Sequence, residues 1–298
     1  MSWLVEPWTW GAFMARGALA ATLVAVPCAV LGVFLYLRRM SMLADALAHI
    51  ALPGIVVAWA ISGGLHPGAM LAGAVGVGLA ATWGIEAISR RARVRSDAAI
   101  GIVFTALFAA GIIAVSTVAR DVHIDTDCVL FGDLLAVSDD TLTLLSLLAP
   151  ASLLAVVLGW RWLAVTSFDP RFAAAVGVPV VAVHYALTTT VTAVAVAGFE
   201  AVGAVVPIAL LVLPAATAHS LTHRLTSMVA VAVAHALLAS FGGLYVAVWF
   251  DVTPAGAIAV VGGLLYGLAR IAMRVGSHTL VAGSTHTPGP VDAGRSVA

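Results

Sequence analysis

Apolar residues run through this chain in stretches of about twenty, separated by short polar or arginine-bearing connections, the length a helix needs to cross a bilayer. The pattern places such segments near 13–37, 42–62, 68–88, 98–118, 141–163, 179–198, 202–221, 227–249 and 255–273. The expected fold is all-α, a polytopic membrane domain over 1–275 with about eight to nine transmembrane helices, some broken by Gly and Pro. The stretch around 179–221 carries the breaks, at Gly198, Gly203, Pro207 and Pro214. A broken helix at membrane depth survives where protein or a water-filled cavity covers the freed backbone groups. From Gly276 onward the chain turns polar and rich in Gly, Ser and Pro, which predicts a disordered cytoplasmic tail over 276–298.

The arginines orient the pattern, because short loops rich in Arg stay in the cytoplasm. Arg38 with Arg39, the run from Arg90 to Arg95, Arg161 with Arg171, Arg224, and Arg270 with Arg274 recur at two-span intervals and fall on one side. The other side then receives His66, the acidic loop from Arg120 to Asp140, the break at Gly198 to Gly203, Asp251 and the N-terminus. The opening MSWLVEPWTW has no basic residue ahead of an apolar run, so it does not read as a cleaved signal peptide, and its tryptophans suit a membrane interface.

Composition sharpens this picture. Hydrophobic residues make up 62% of the 298, charged residues 9%, and the mean hydropathy is +1.10, far from the soluble mix. All 14 cationic side chains are arginine. Without lysine the chain cannot build a phosphate-binding loop of the Walker type, so any ATP that drives it must be hydrolysed by another chain. Cys28 lies in an apolar run and Cys128 in a polar loop, contexts too different to suggest a disulfide. Neither a zinc-protease helix nor a credible nucleophile elbow is present, so no catalytic residue or bound cofactor is expected, nor a nucleic-acid partner.

The candidate chemistry centres on SMLADALAHIALPG, Ser41 to Gly54, where Asp45 and His49 stand four residues apart and share one helix face. A carboxylate in a membrane helix costs about 2.5–3.5 kcal/mol on insertion scales and is tolerated where it faces a partner, cavity or pathway. One reading makes the pair ligands of a divalent cation. The other makes Asp45 an N-terminal helix residue near the membrane surface and His49 a packing residue.

Two further stretches invite paired readings. RDVHIDTDC brings His123, Asp125, Asp127 and Cys128 together outside, either as donors at a metal entry or as a solvated acidic surface. SFDPRFAAAVG, Ser167 to Gly177, has Asp169 and Pro170 as a helix start and Gly177 as a stop, giving a helix too short to span. Its Ala173, Ala174 and Ala175 make a smooth face that suits docking into a partner, or the segment is a mere connector. Glu86 reads as an interfacial ion-pair partner of the nearby arginines, Glu200 as a group at the external break, His219 and His223 as interfacial, and His235 as a packing histidine.

In order along the chain, RRMSMLADALAHIALPG, SDAAIGIVFTALFAAGI, VLFGDLLAVS, and DPRFAAAVG with LLVLPAATA resemble the permease subunits of bacterial ABC transporters for zinc, manganese or iron. The resemblance implies an all-helical permease of the bacterial plasma membrane that dimerises, pairs with cytoplasmic ATP-binding subunits and receives metal from an extracytoplasmic binding protein. It implies that Asp45 and His49 lie on the metal path and that the helix with Asp169, Ala173 and Gly177 couples to the ATPase. Two such pairs on a two-fold axis would offer two carboxylates and two imidazoles, a set that suits Mn²⁺, Fe²⁺ or Zn²⁺ and does not choose among them; zinc is the expected cargo, slightly ahead of manganese. A gradient-driven secondary transporter and an intramembrane metal-dependent enzyme are the alternatives.

Overall fold

The computed structural model describes residues 12–62, 67–91, 94–118 and 137–282. Among these the chain forms helices and no strand: α1 (Ala12–Leu37), α2 (Met42–Ser62), α3 (Pro67–Arg91), α4 (Ser96–Val118), α5 (Asp139–Phe168), α6 (Pro170–Ala175), α7 (Val180–Val202), α8 (Val205–Leu221), α9 (Leu225–Phe250) and α10 (Pro254–Ala282). Seven are long and apolar enough to cross a membrane, and Pro53–Ser62 and Val205–Leu221 are shorter apolar helices. The long helices coincide with the segments expected from hydropathy. Within the breakpoint region the interruption falls at Gly203 alone, whose φ of 78° takes the chain from α7 into α8. Gly198 sits inside α7 instead, where a side chain would press on the Pro207 ring. At the far end α10 continues to Ala282.

α1 is the central element. Beyond Arg16 in its second turn it is apolar nearly all round, and 78% of its spanning window is buried within the chain, with Phe34, Leu31, Cys28 and Val24 wholly enclosed. Around it pack α8 and α9 on one side and α5 and α7 on another. A second group, α2 with α3 and α4, joins the first through α7. Helices α4 and α10 bury 17% of their windows, as lipid- or partner-facing helices do.

Contacts between distant residues fix the direction of each helix. Arg38 at the foot of α1 meets Thr166 and Ser167 at the end of α5 and His184 near the start of α7. Tyr36 stacks near His219 in the last turn of α8. The other end is marked by Arg16, paired with Asp139 at the start of α5.

Candidate metal site on the second helix

α2 begins after a tight turn. Arg39 takes a left-handed conformation, φ 58°, and the Met40 carbonyl accepts from the Leu43 amide as α2 starts. Asp45 lies in the first turn, where the helix dipole favours a carboxylate, and His49 follows one turn later. His49 Nε2 is 4.0 Å from Asp45 Oδ1, too long for a hydrogen bond and short enough for both to touch one ion. Their side chains are 40% and 59% exposed, so the pair opens outward from the single chain.

Two phenylalanines of α4 set the imidazole. The rings of Phe104 and Phe108 stack on each other at 5.8 Å, and each has its centroid 5.5 Å from that of His49. Pro53 follows His49 by four residues inside α2; lacking an N–H, it leaves the His49 carbonyl without its helical donor. Its ring packs where Gly111 of α4 leaves room. Thus α4 holds the site from one side, and α3 supports α2 from another.

Among the described residues, no three His, Cys, Asp or Glu side chains gather into a metal-holding group. Asp45 and His49 together offer one carboxylate and one imidazole. The expected entry residues His123, Asp125 and Asp127 lie outside the described residues.

The short helix forms as its caps dictate. The Asp169 side chain accepts from the amides of Arg171 and Phe172, at 3.0 and 2.9 Å, and Pro170 occupies the first helical position. Gly177, φ 83°, ends it, and the Val178 amide closes back on the Ala173 carbonyl. The face differs from the expected one in one respect. Ala173 is wholly buried against the chain itself, because it lies on the side of α6 turned to α5 and α7. What α6 and its cap residue Val176 present outward is Pro170, Arg171, Phe172, Ala174, Ala175 and Val176 itself.

The remaining polar groups sort themselves. Glu86 pairs with His184 across to α7, a partner that the nearby arginine run did not suggest. His235 is buried, its ring beside Gly262 of α10.

The model of the ABC 3 transport family matches residues 11–273. The chain belongs to the ABC 3 transport family. It is a permease, a multi-pass protein of the bacterial plasma membrane. It is 37% identical over 257 residues to the manganese transport system membrane protein MntC of Halalkalibacterium halodurans, covering 86% of each chain. To the zinc transport system membrane protein TroD of Treponema pallidum it is 37% identical over 264 residues, 85% of this chain and 72% of that one. Among solved structures it resembles PsaBC from Streptococcus pneumoniae in complex with Fab, with a TM-score of 0.76 at 30% identity, over 89% of this chain and 93% of the other.

Proposed function

We propose that this permease imports a divalent first-row metal ion, manganese before zinc, as one half of a homodimer. The observation that carries the reading is the Asp45/His49 pair: one carboxylate and one imidazole a turn apart, open to the outside of the single chain, with no third ligand beside them among the described residues. A second copy related by a two-fold axis doubles the set to two oxygens and two nitrogens, which suits Mn²⁺, Fe²⁺ and Zn²⁺ better than Mg²⁺ or Ca²⁺. Relatives named for manganese and for zinc support the same range of cargo. The relative named for manganese is matched over more of its length than the one named for zinc, 86% against 72%, which puts manganese ahead of zinc.

The remaining parts follow. The arginine-bearing end is the cytoplasmic one, since short Arg-rich connections stay inside. There α6 offers Phe172 and, at its cap, Val176, 57% exposed each, as a docking surface for an ATP-hydrolysing subunit. An extracytoplasmic protein delivers the ion on the opposite side, near His123, Asp125 and Asp127. Closing of the ATPase shifts α6, and the shared site opens to one side at a time.

The test is uptake in a strain lacking the native permease, at matched expression. Asp45→Ala and His49→Ala each reduce Mn²⁺ uptake about tenfold or more, the loss of a ligand that binds in the transported state. Uptake also falls as the medium is acidified, because protons compete for the ligands. Wild-type uptake in both variants removes the pair from the path. Zn²⁺ rescue without Mn²⁺ rescue reverses the order of the metals.

A further inference from the structure

One polar cluster stands apart from both the Asp45/His49 pair and the outward face of α6. It lies at the arginine-bearing end, where α1, α3, α5 and α7 meet, and its members come from four separate stretches of sequence. Glu86 Oε2 of α3 stands 2.8 Å from His184 Nε2 of α7, with side chains 13% and 15% exposed. The second ring nitrogen of His184, Nδ1, is 3.3 Å from a terminal guanidinium nitrogen of Arg38. Arg38 donates through Nε to Ser167 Oγ at 3.1 Å and through its other terminal nitrogen to Thr166 Oγ1 at 2.7 Å.

The donors and acceptors assign the protons. Arg38 has only N–H groups to offer, so Nδ1 of His184 accepts and Nε2 carries the hydrogen that Glu86 takes. The hydroxyls of Thr166 and Ser167 spend their own protons on the carbonyls of Trp162 and Leu163, which leaves lone pairs toward Arg38. Burial pushes the Arg38 guanidinium down to about 10, with Glu86 pulling it up, so it stays cationic at neutral pH. The cluster is one positive and one negative charge bridged by a neutral ring.

Its position is informative. Thr166 and Ser167 end the helix that leads into α6, and His184 stands in the second turn of the helix that leads out of it. The two attachments of α6 are therefore both held. The other members lead to the metal pair: Arg38 opens the turn through Arg39 into α2, whose first turn holds Asp45. Glu86 belongs to α3, whose backbone touches α2, since a side chain on Gly54 would stand 2.5 Å from the Ala74 Cα.

We propose that Arg38, His184 and Glu86, with Thr166 and Ser167, form the linkage that transmits displacement of α6 to the Asp45/His49 pair. They are positioning residues that contact neither nucleotide nor metal. This rests on the reading of Asp45 and His49 as the cargo site and of α6 as the docking helix. Apolar helix faces slide past one another by small increments; a buried charge cannot part from its partner without leaving both uncompensated. The ends of α5 and α7 therefore carry the foot of α1 and the end of α3 with them, and the movement arrives at α2 along two routes.

The test uses the permease assembled with its ATPase and delivering protein in proteoliposomes. The variants are Arg38→Lys, Glu86→Gln, and Thr166→Val with Ser167→Ala. Two quantities are read: Mn²⁺ moved per ATP hydrolysed, and Mn²⁺ affinity of the nucleotide-free complex. Coupling free energies between sites commonly amount to about 5- to 150-fold, so Mn²⁺ per ATP falls about tenfold in Arg38→Lys and Glu86→Gln, while affinity stays within about twofold. Asp45→Ala, in the same assay, loses affinity itself; if it does not, the cargo-site reading fails independently of the linkage. Wild-type Mn²⁺ per ATP in the three cluster variants overturns the linkage, as does an affinity loss that matches the transport loss. Should the charge variants not assemble, the hydroxyl pair decides alone, and unchanged stoichiometry there overturns it.

Discussion

Gly54 of α2 and Ala74 of α3 bring two backbones into contact: a Cβ on Gly54 would lie 2.5 Å from the Ala74 Cα and 2.6 Å from the Gly73 carbonyl oxygen. Neither obstacle is a flexible side-chain tip, so the helices must separate to admit even a methyl group. Overpacking of this kind costs about 1–3 kcal/mol. Gly54→Ala therefore lowers the thermal unfolding midpoint of the purified permease, and Gly54→Leu lowers it further. An unchanged midpoint for Gly54→Leu contradicts the close crossing.

Asp169 caps a helix of only six residues, so the cap is a large share of what holds it. Replacing a capping Asp with Ala costs about 1 kcal/mol. In Asp169→Ala, hydrogen exchange of the amides of Arg171 and Phe172 speeds up about fivefold, while Asp169→Asn, which keeps an accepting oxygen, stays near wild type. Equal exchange in both variants removes the capping role.

The aromatic setting of His49 gives a third expectation. Ring contacts of this geometry contribute about 0.5–1.5 kcal/mol, and Phe104 supplies one of the two that hold the imidazole. Phe104→Ala then weakens Mn²⁺ affinity by about two- to tenfold. Phe108→Ala acts in the same direction, because its ring stacks on Phe104. Affinity unchanged in both variants shows that the rings merely line the helix face.

How much of this was legible in the sequence depends on range. The long helices follow from runs of local hydropathy, and α6 from Asp169, Pro170 and Gly177 within one short segment. The Asp45/His49 spacing is equally local. Gly198 and Gly203 look alike as sequence, yet one serves a close helix approach and the other breaks the chain, a distinction made by Pro207 arriving from the next helix. Ala173 looked like part of an outward face because its neighbours are also alanine; the packing of α6 on α5 and α7 turns it inward. The Arg38 cluster was illegible, since the hydrogen bonds of Arg38 join residues 128 to 146 positions apart and each member alone is an ordinary interfacial group.

The central claim is that each chain supplies half of a metal site. The most direct measurement is equilibrium Mn²⁺ binding to the purified permease in its native oligomer, with bound metal counted per chain. One Mn²⁺ for every two chains, lost in both Asp45→Ala and His49→Ala, is the expected result. One Mn²⁺ in every chain, or full binding by either variant, contradicts it.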